Sequence, residues 1–437
     1  NIMRNLINNP GFRKYFANTS WLLGERMLRM IVSLFVGIYV ARYLGPEKFG
    51  LLSYTLSFVW LFSSLAAFGL DDLLVRELVK FPERRKVLLG TVFWLKISGT
   101  VIMCSLITIV LSFVENDHQT ELMVALIALG FFFQATNVID FYFQARVQSK
   151  FSVRAQTFQL ISTSLFKIYL VLNHAELVWF AFALMLDQLV VAVSFLVVYR
   201  CEIEWFPFFI FRWHQAKKFI KDAWPLIFAG MVVSIYMKID QVMLKEMLDI
   251  KAVGIYAAAV KLCEVWYFLP TAVLASLFPA ILEARKKGDL IYKERIQKLY
   301  DLMIWGALAI ALPTTLLADW VIYFFYGTDY QEASSVLKIY IWAGVFVSLG
   351  CASSKWLVAE NLERYSFYRT SLGAVLNVLC NLWLIPLLGI VGAALATIIS
   401  QFIAAYLSLL FFKKTRDNFW IATNALNPVA VYRRSFR

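Results

Sequence analysis

The sequence predicts an all-α integral membrane protein: twelve transmembrane helices in two six-helix bundles related by a pseudo-twofold repeat, with N- and C-termini cytoplasmic. Three observations predict it. Of 437 residues, 61% are hydrophobic and 16% charged, with a mean hydropathy of +0.68, whereas soluble domains sit near 45–50% apolar and about 25% charged. Apolar runs long enough to cross a bilayer recur along the whole chain. Lys and Arg gather on alternate loops. Such a composition leaves too little polar surface for a soluble enzyme and too much apolar surface for a disordered chain.

Apolar runs set against their charged or Gly/Pro breaks place the spans near residues 17–41, 49–70, 87–114, 122–145, 155–172, 175–199, 222–244, 252–280, 299–325, 333–358, 366–385 and 389–412. The first run holds Glu25, Arg26 and Arg29, and no small-residue cleavage site follows it. It therefore reads as a span and not as a cleaved leader. With the N-terminus inside, thirty of the forty-two Lys and Arg residues fall on inside segments, four on outside loops and eight within spans. That imbalance orients both termini to the cytoplasm and supports an even span count. The net charge of +13 is then mostly a topology signal and not a nucleic-acid surface, with attraction to anionic lipid headgroups as a by-product.

Residues 200–221 form the longest inside connection, in which aromatic residues precede Arg212, Lys217, Lys218 and Lys221. This pattern suits a segment lying in the inner membrane interface. The chain divides accordingly into an N-terminal six-helix bundle (1–199), an interfacial linker (200–221), a C-terminal six-helix bundle (222–413) and a cytoplasmic tail (414–437). The halves echo each other. Leu44 through Leu51 and Leu248 through Ile255 both read Leu, four residues, an apolar residue and Gly. Lys150-Phe151-Ser152 is matched by Arg364-Tyr365-Ser366. Parallel repeats of this kind place a substrate site between the halves.

Cys104, Cys201, Cys263, Cys351 and Cys380 show no metal-ligand spacing and read as small apolar residues rather than a disulfide framework. His118, His174 and His214 fall in loops with no partner for zinc, so no metal is expected. The chain has neither a phosphate-binding Gly-rich loop nor a nucleophile elbow, and no catalytic constellation is expected.

Charges inside the spans carry the remaining information, because each costs at least about 2.5–3.5 kcal/mol to insert. Arg29 and Lys261 fall near mid-depth at about 1.5 Å per residue. Glu25, Arg26 and Arg29 share one face of span one. Lys261 and Glu264 share a face of span eight, and Lys238 shares one with Ser234 and Gln241. Asp240 points away from Lys238, toward a neighbouring helix. Lys96, Lys167, Lys338 and Lys355 lie nearer span ends, where their amines snorkel. Two readings stand side by side. In one, Glu25 with Arg29 and Lys261 with Glu264 are intrahelical ion pairs that hold the bundle. In the other, Arg26, Arg29, Lys238 and Lys261 line a hydrated cationic cavity for an anion such as a diphosphate. Glu25, Asp240 and Glu264 are candidates for an ion-pair or coupling role, with H+ or Na+ as the coupling ion. Asp71, Asp72 and Arg76, at the inner end of span two, are candidates for a cytoplasmic gate. Pro225, Pro270 and Pro313 interrupt spans seven, eight and nine.

Ala41 through Tyr54, with Arg42-Tyr43-Leu44-Gly45-Pro46-Glu47-Lys48-Phe49-Gly50 at its centre, resembles the first-loop signature of the Wzx-type polysaccharide-transporter family. Ile239 through Leu244 with Val253 through Ala259, and Phe141 through Arg146, are similar to further signatures of that family. The resemblance extends over the whole chain in length and span number. It implies a V-shaped fold of the multidrug/oligosaccharidyl-lipid/polysaccharide exporter superfamily, in the bacterial inner membrane. The implied activity is flipping of undecaprenyl-diphosphate-linked oligosaccharide repeat units, such as O-antigen, from the cytoplasmic to the periplasmic leaflet by alternating access. Spans one, two, seven and eight would then line the cationic cavity, although span two has no mid-depth base here. Membrane lipids and other polysaccharide assembly proteins are the implied partners. The rivals are a drug exporter of the same superfamily, a membrane polymerase or acyltransferase, and a structural scaffold. The first would favour an acidic pocket, the second a large outside loop or a His/Asp constellation. Buried mid-depth charges argue against the third.

Overall fold

A computed structural model describes residues 10–114 and 117–435. Arg4 and Arg437, counted among the inside charges, lie outside the described residues. Every regular element described is helical, as a medium without water requires of a chain that must satisfy its backbone internally. Among the described residues, ten helices are long and apolar enough to cross a membrane by length and composition. Two local features separate this number from the expected twelve. Helix α1 (Pro10–Leu61) runs through two of the expected spans, with a non-helical joint at Gly45, whose φ of 72° suits glycine. Pro46 follows that joint as the first residue of a new helical stretch, where its missing N–H is harmless. Helix α7 (Lys150–Leu172) is absent from the ten. Gln159, Ser162, Thr163, Ser164 and Lys167 dilute its apolar run.

The chain forms two compact units. The first comprises Asn1–Leu44 and Tyr54–Ser234. It contains α2 (Ser63–Ala67), α3 (Asp71–Lys80), α4 (Arg85–Leu111), α5 (His118–Gln134), α6 (Val138–Ala145), α7 and α8 (Leu177–Glu202). Leu74, Leu88, Leu89, Val138, Phe143, Phe195 and Tyr199 pack at its core. The connection from α8 to α9 (Trp213–Met247) is two-faced. Phe206 and Phe208 lie 5.6 and 5.4 Å from the Phe93 ring, and Trp94 Nε1 donates to the Phe208 carbonyl at 2.7 Å. Phe209 is 99% exposed, and Trp205 and Trp213 are exposed as well. Glu204 ties this segment to α4 through Arg85 at 2.8 Å and Lys86 at 2.7 Å.

The second unit comprises Gly45–Ser53 and Ile235–Arg437. It holds α10 (Ile250–Glu264), α11 (Phe268–Lys287), α12 (Asp289–Tyr326), α13 (Ala333–Tyr340), α14 (Ala343–Ala359), α15 (Glu363–Leu388), α16 (Ile390–Phe402), α17 (Ser408–Phe411), α18 (Arg416–Leu426) and α19 (Pro428–Ser435). Its core gathers Ile296, Leu299, Tyr300, Ile304, Leu349, Trp356 and Leu357. A 3-10 turn at Val265–Tyr267 separates α10 from α11. Pro270 therefore sits in the first turn of α11, where no hydrogen bond is lost. Pro225 and Pro313 lie inside α9 and α12.

The two glycines of the internal echo meet in this unit. A Cβ on Gly254 would lie 1.8 Å from the Pro46 carbonyl oxygen, and one on Gly50 would lie 2.0 Å from that of Ile250. Backbones approach this closely only where neither residue carries a side chain. Gly254→Ala should destabilise the purified protein by about 1–3 kcal/mol through overpacking, read as a lower thermal midpoint, while Gly306→Ala, where a Cβ meets open space, should not.

The hydrogen bond from Lys86 holds the Glu204 carboxyl below its ordinary value of 4.5; burial opposes the effect and Arg85 reinforces it. A depressed folded value means that this tether stabilises the linker above the unfolded value and is lost as pH falls through the folded one. Trp205 fluorescence should therefore change between about pH 5 and about pH 3, and Glu204→Gln should remove that step.

Candidate functional site

In the first unit, the mid-depth charges of α1 are joined to α7 and α8. Arg29 Nε donates to Glu25 Oε1 at 2.6 Å, one helical turn away. Arg29 Nη1 donates to Gln159 Oε1 at 3.2 Å. The Gln159 amide then donates to Asp187 Oδ1 at 2.9 Å and Thr163 Oγ1 at 3.1 Å. Lys167 Nζ closes the row on Asp187 Oδ2 at 2.5 Å. The result is a ladder of acid, base, amide, acid and base across three helices. Glu25 is 6% exposed, and the ladder supplies the partner that a buried carboxylate needs. Arg26 is exposed. Asp140, on α6, lies within electrostatic reach of Glu25 and Arg26.

In the second unit, Lys238 Nζ on α9 lies 3.4 Å from Glu264 Oε1 at the end of α10. Glu264 is thus tied across helices. Lys261 is half-buried, one turn before Glu264.

Asp240 is buried at 5% exposure. Its Oδ1 accepts from Asn381 Nδ2 at 2.6 Å, and its Oδ2 accepts from Thr397 Oγ1 at 2.6 Å and Tyr256 OH at 2.8 Å. Asn381 Nδ2 also reaches Asn377 Oδ1 at 3.1 Å. Four helices, α9, α10, α15 and α16, therefore converge on one carboxylate. The expectation that Asp240 faces a neighbouring helix matches this geometry. No group of three or more His, Cys, Asp or Glu residues suited to a metal occurs among the described residues.

The gate candidates are not joined as expected. Asp71 pairs with Lys96 at 2.5 Å, and Lys96, expected to snorkel, is 4% exposed. Arg76 instead faces Glu77 and Asp222, each at 3.8 Å, and Lys218 reaches Glu77 at 2.8 Å. Asp71 and Asp72 begin α3, where acids complement the helix dipole, so Arg76 is left to the α9 side. Lys167 and Lys338 also have acid partners, Lys338 with Asp319 at 2.7 Å. Sequence reasoning missed Gln159, Asn377, Asn381 and Thr397. Asn377 and Asn381, four residues apart within the otherwise apolar stretch 372–388 of α15, were the readable signal.

Residues 15–285 match the family model described as polysaccharide biosynthesis protein. The chain belongs to the polysaccharide biosynthesis protein family. Its match runs through Arg29, Lys238, Asp240 and Glu264. Residues 225–383 also match the MatE family model. An uncharacterized membrane protein of Methanocaldococcus jannaschii is 22% identical, over 93% of this chain and 85% of the relative. A protein named probable flippase AglR, of Haloferax volcanii, is 27% identical over 40% of this chain and 37% of its own length. Among solved structures, the fold is similar to an inward-facing multidrug resistance MATE family transporter of the MOP superfamily. The TM-score is 0.68 at 15% identity, over 90% of this chain and 95% of that one. It is also similar to lipid II flippase MurJ in an inward closed conformation, with a TM-score of 0.56 at 16% identity, over 94% of this chain and 90% of that one.

Asp240→Ala should lower the thermal stability of the purified protein by about 1–3 kcal/mol for each buried donor left without an acceptor. Asp240→Asn, which keeps the shape and an oxygen, should cost less in the same measurement.

Proposed function

We propose that this protein is a flippase for polyprenyl-diphosphate-linked oligosaccharides, with twelve spans and both termini in the cytoplasm. In a bacterial host the carrier would be undecaprenyl diphosphate, the membrane the inner membrane and the cargo an O-antigen or similar repeat unit. The observation that carries the reading is the family match over residues 15–285, which runs through the mid-depth bases. The relative named as a probable flippase supports the same reading.

The chemistry follows from the site. A diphosphate crossing hydrocarbon must exchange water for fixed donors. Arg29 offers a planar fork suited to phosphate oxygens, while Lys238 and Lys261 offer point charges. Each base already has polar neighbours, so a phosphate exchanges for them instead of meeting a bare cation. Asp240, with hydroxyl and amide groups but no base on its oxygens, is the residue we assign to the coupling ion, H+ or Na+. No step in this transport makes or breaks a covalent bond. The rival reading is a multidrug exporter, which the MatE match and the MATE-like fold favour. A cationic drug needs an acid free to meet it, and Glu25, Asp187 and Glu264 each hold a base, while Asp240 is buried under three neutral donors.

Deletion in the native host should abolish surface polysaccharide and leave lipid-linked units in the inner leaflet. Arg26→Ala, Arg29→Ala and Lys261→Ala together should fail to complement. Each lost charge-assisted contact is worth about 1.5–3 kcal/mol, roughly 10–100-fold in transport. Full complementation by the triple variant, or a deletion that changes only drug tolerance, would overturn the proposal.

A further inference from the structure

Arg369 is a buried cation that the function above does not use. It lies in α15, six residues past the start, or about 9 Å along the helix axis. It is 8% exposed. Its Nη2 donates to the Gly350 carbonyl at 2.8 Å and to Ser354 Oγ, both on α14. Both acceptors are neutral. Nη1 has no hydrogen-bond partner, and no carboxylate pairs with Arg369 among the described residues. The ionisable groups that feel its charge are Tyr300, Cys351 and Tyr236, which are a thiol and two phenols. The buried Tyr236 hydroxyl has no partner of hydrogen-bonding geometry either.

A second cation lies close by. Cys351 feels both Arg369 and Lys355. Lys355 is exposed, and its Nζ sits 5.3 Å from the centre of the Phe278 ring. Among the described residues it has no acid partner. Arg369, in the seam between α14 and α15, and Lys355, one residue past Ser354 on α14 and turned toward Phe278 of α11, thus have no acid partner among the described residues. The buried Glu25 and Lys96, by contrast, each hold an oppositely charged partner. A buried ion without a counter-ion is costly, so Arg369 is poised to accept an anion.

Depth and geometry narrow the anion. Lys355 lies four residues before α14 ends, about 6 Å, and Arg369 a comparable distance into α15. On the reading of these helices as spans, that is the level of the polar headgroup region, which adds several ångströms on either side of the hydrocarbon core. A guanidinium with a free Nη1 beside a mobile ammonium suits a phosphate, which takes one fork and one point charge. We propose that Arg369 and Lys355 form a phosphate site for a lipid at the leaflet that the α14–α15 loop faces. The phosphate is either the phosphodiester of a bilayer lipid or the diphosphate of a lipid-linked glycan; only the second assignment rests on the flippase reading. Access needs the seam to part locally at Gly350, which adds no side chain to it.

Thermal unfolding of the full-length protein in detergent, followed by tryptophan fluorescence, tests the site. The probes are phosphatidylglycerol, polyprenyl diphosphate and diacylglycerol. A phosphate-bearing lipid at a hundredfold excess over its Kd should raise the midpoint by about 3–5 °C, and diacylglycerol should not. Arg369→Met should abolish the shift without lowering the midpoint of the free protein, because it removes an unpaired buried charge. Arg369→Lys and Lys355→Gln should each retain part of it, and either serves should the Met variant fail to fold. A shift with phosphatidylglycerol alone supports a bilayer lipid, and one with polyprenyl diphosphate alone supports the glycan carrier. Shifts with both support a general phosphate site. An unchanged shift in Arg369→Met, an equal shift with diacylglycerol, or no shift with any probe would overturn the proposal.

Discussion

Hydrocarbon offers no solvent to a charge, and the placement of polar groups in this chain follows from that constraint. A carboxylate in lipid must find a base or a set of hydrogen-bond donors within its own fold. Glu25 finds Arg29 on the next turn of its helix, and Arg29 in turn reaches across to Gln159. Asp240 takes the other route and draws donors from α10, α15 and α16. The first solution links helices through alternating charge, and the second through converging neutral donors. Each makes the polar group a fastening point between helices that apolar contacts alone would hold without preferred register, since lipid is as apolar as leucine.

Much of this was legible in the sequence, because a charge in an apolar run has few explanations. Glu25 with Arg29 and the outward facing of Asp240 from Lys238 could be read from 100° per residue. The partners on other helices could not. Gln159, Asp187 and Lys167 lie more than a hundred residues from Arg29, and nothing local to them states which helix they face. Lys96 shows the error in the other direction. Its place near a span end suggested an amine reaching water, but Asp71, from the short helix before α4, meets it inside the fold. The ten apolar helices differ from the twelve expected spans for related reasons. A helix bent at Gly45 still reads as one long element, and the apolar run of α7 is diluted by Ser and Thr residues that bond to their own backbone. Ser162 and Thr163 do so one turn back.

The internal echo acquires a physical meaning from the same structure. Two glycine-bearing segments that resemble each other in sequence, Leu44 through Leu51 and Leu248 through Ile255, are packed on one another in the second unit. A glycine preserved at both places is what a mutual backbone contact demands, because a methyl group on either side would enter the other's carbonyl.

A transporter for a charged head group has to hold bases ready without stranding them. A bare guanidinium at mid-depth would be too costly, and one locked in a buried salt bridge would be too well satisfied to release. Arg29 sits between these limits. Its side chain is 38% exposed while that of Glu25 is 5% exposed, so the acid is committed to the fold and the base keeps an open side. Lys238, at 23%, faces Glu264 at 30% over 3.4 Å, a looser contact than the 2.6 Å pair. In the proposed flippase, a diphosphate approaching either base would gain a charge-assisted bond and displace only part of the existing network. The Glu25 carboxylate beside Arg29 would repel the anion and so favour its release. On this reading the acids are not incidental neutralisers. They set how tightly the bases grip, and a site built of bases alone would bind its cargo without letting it go.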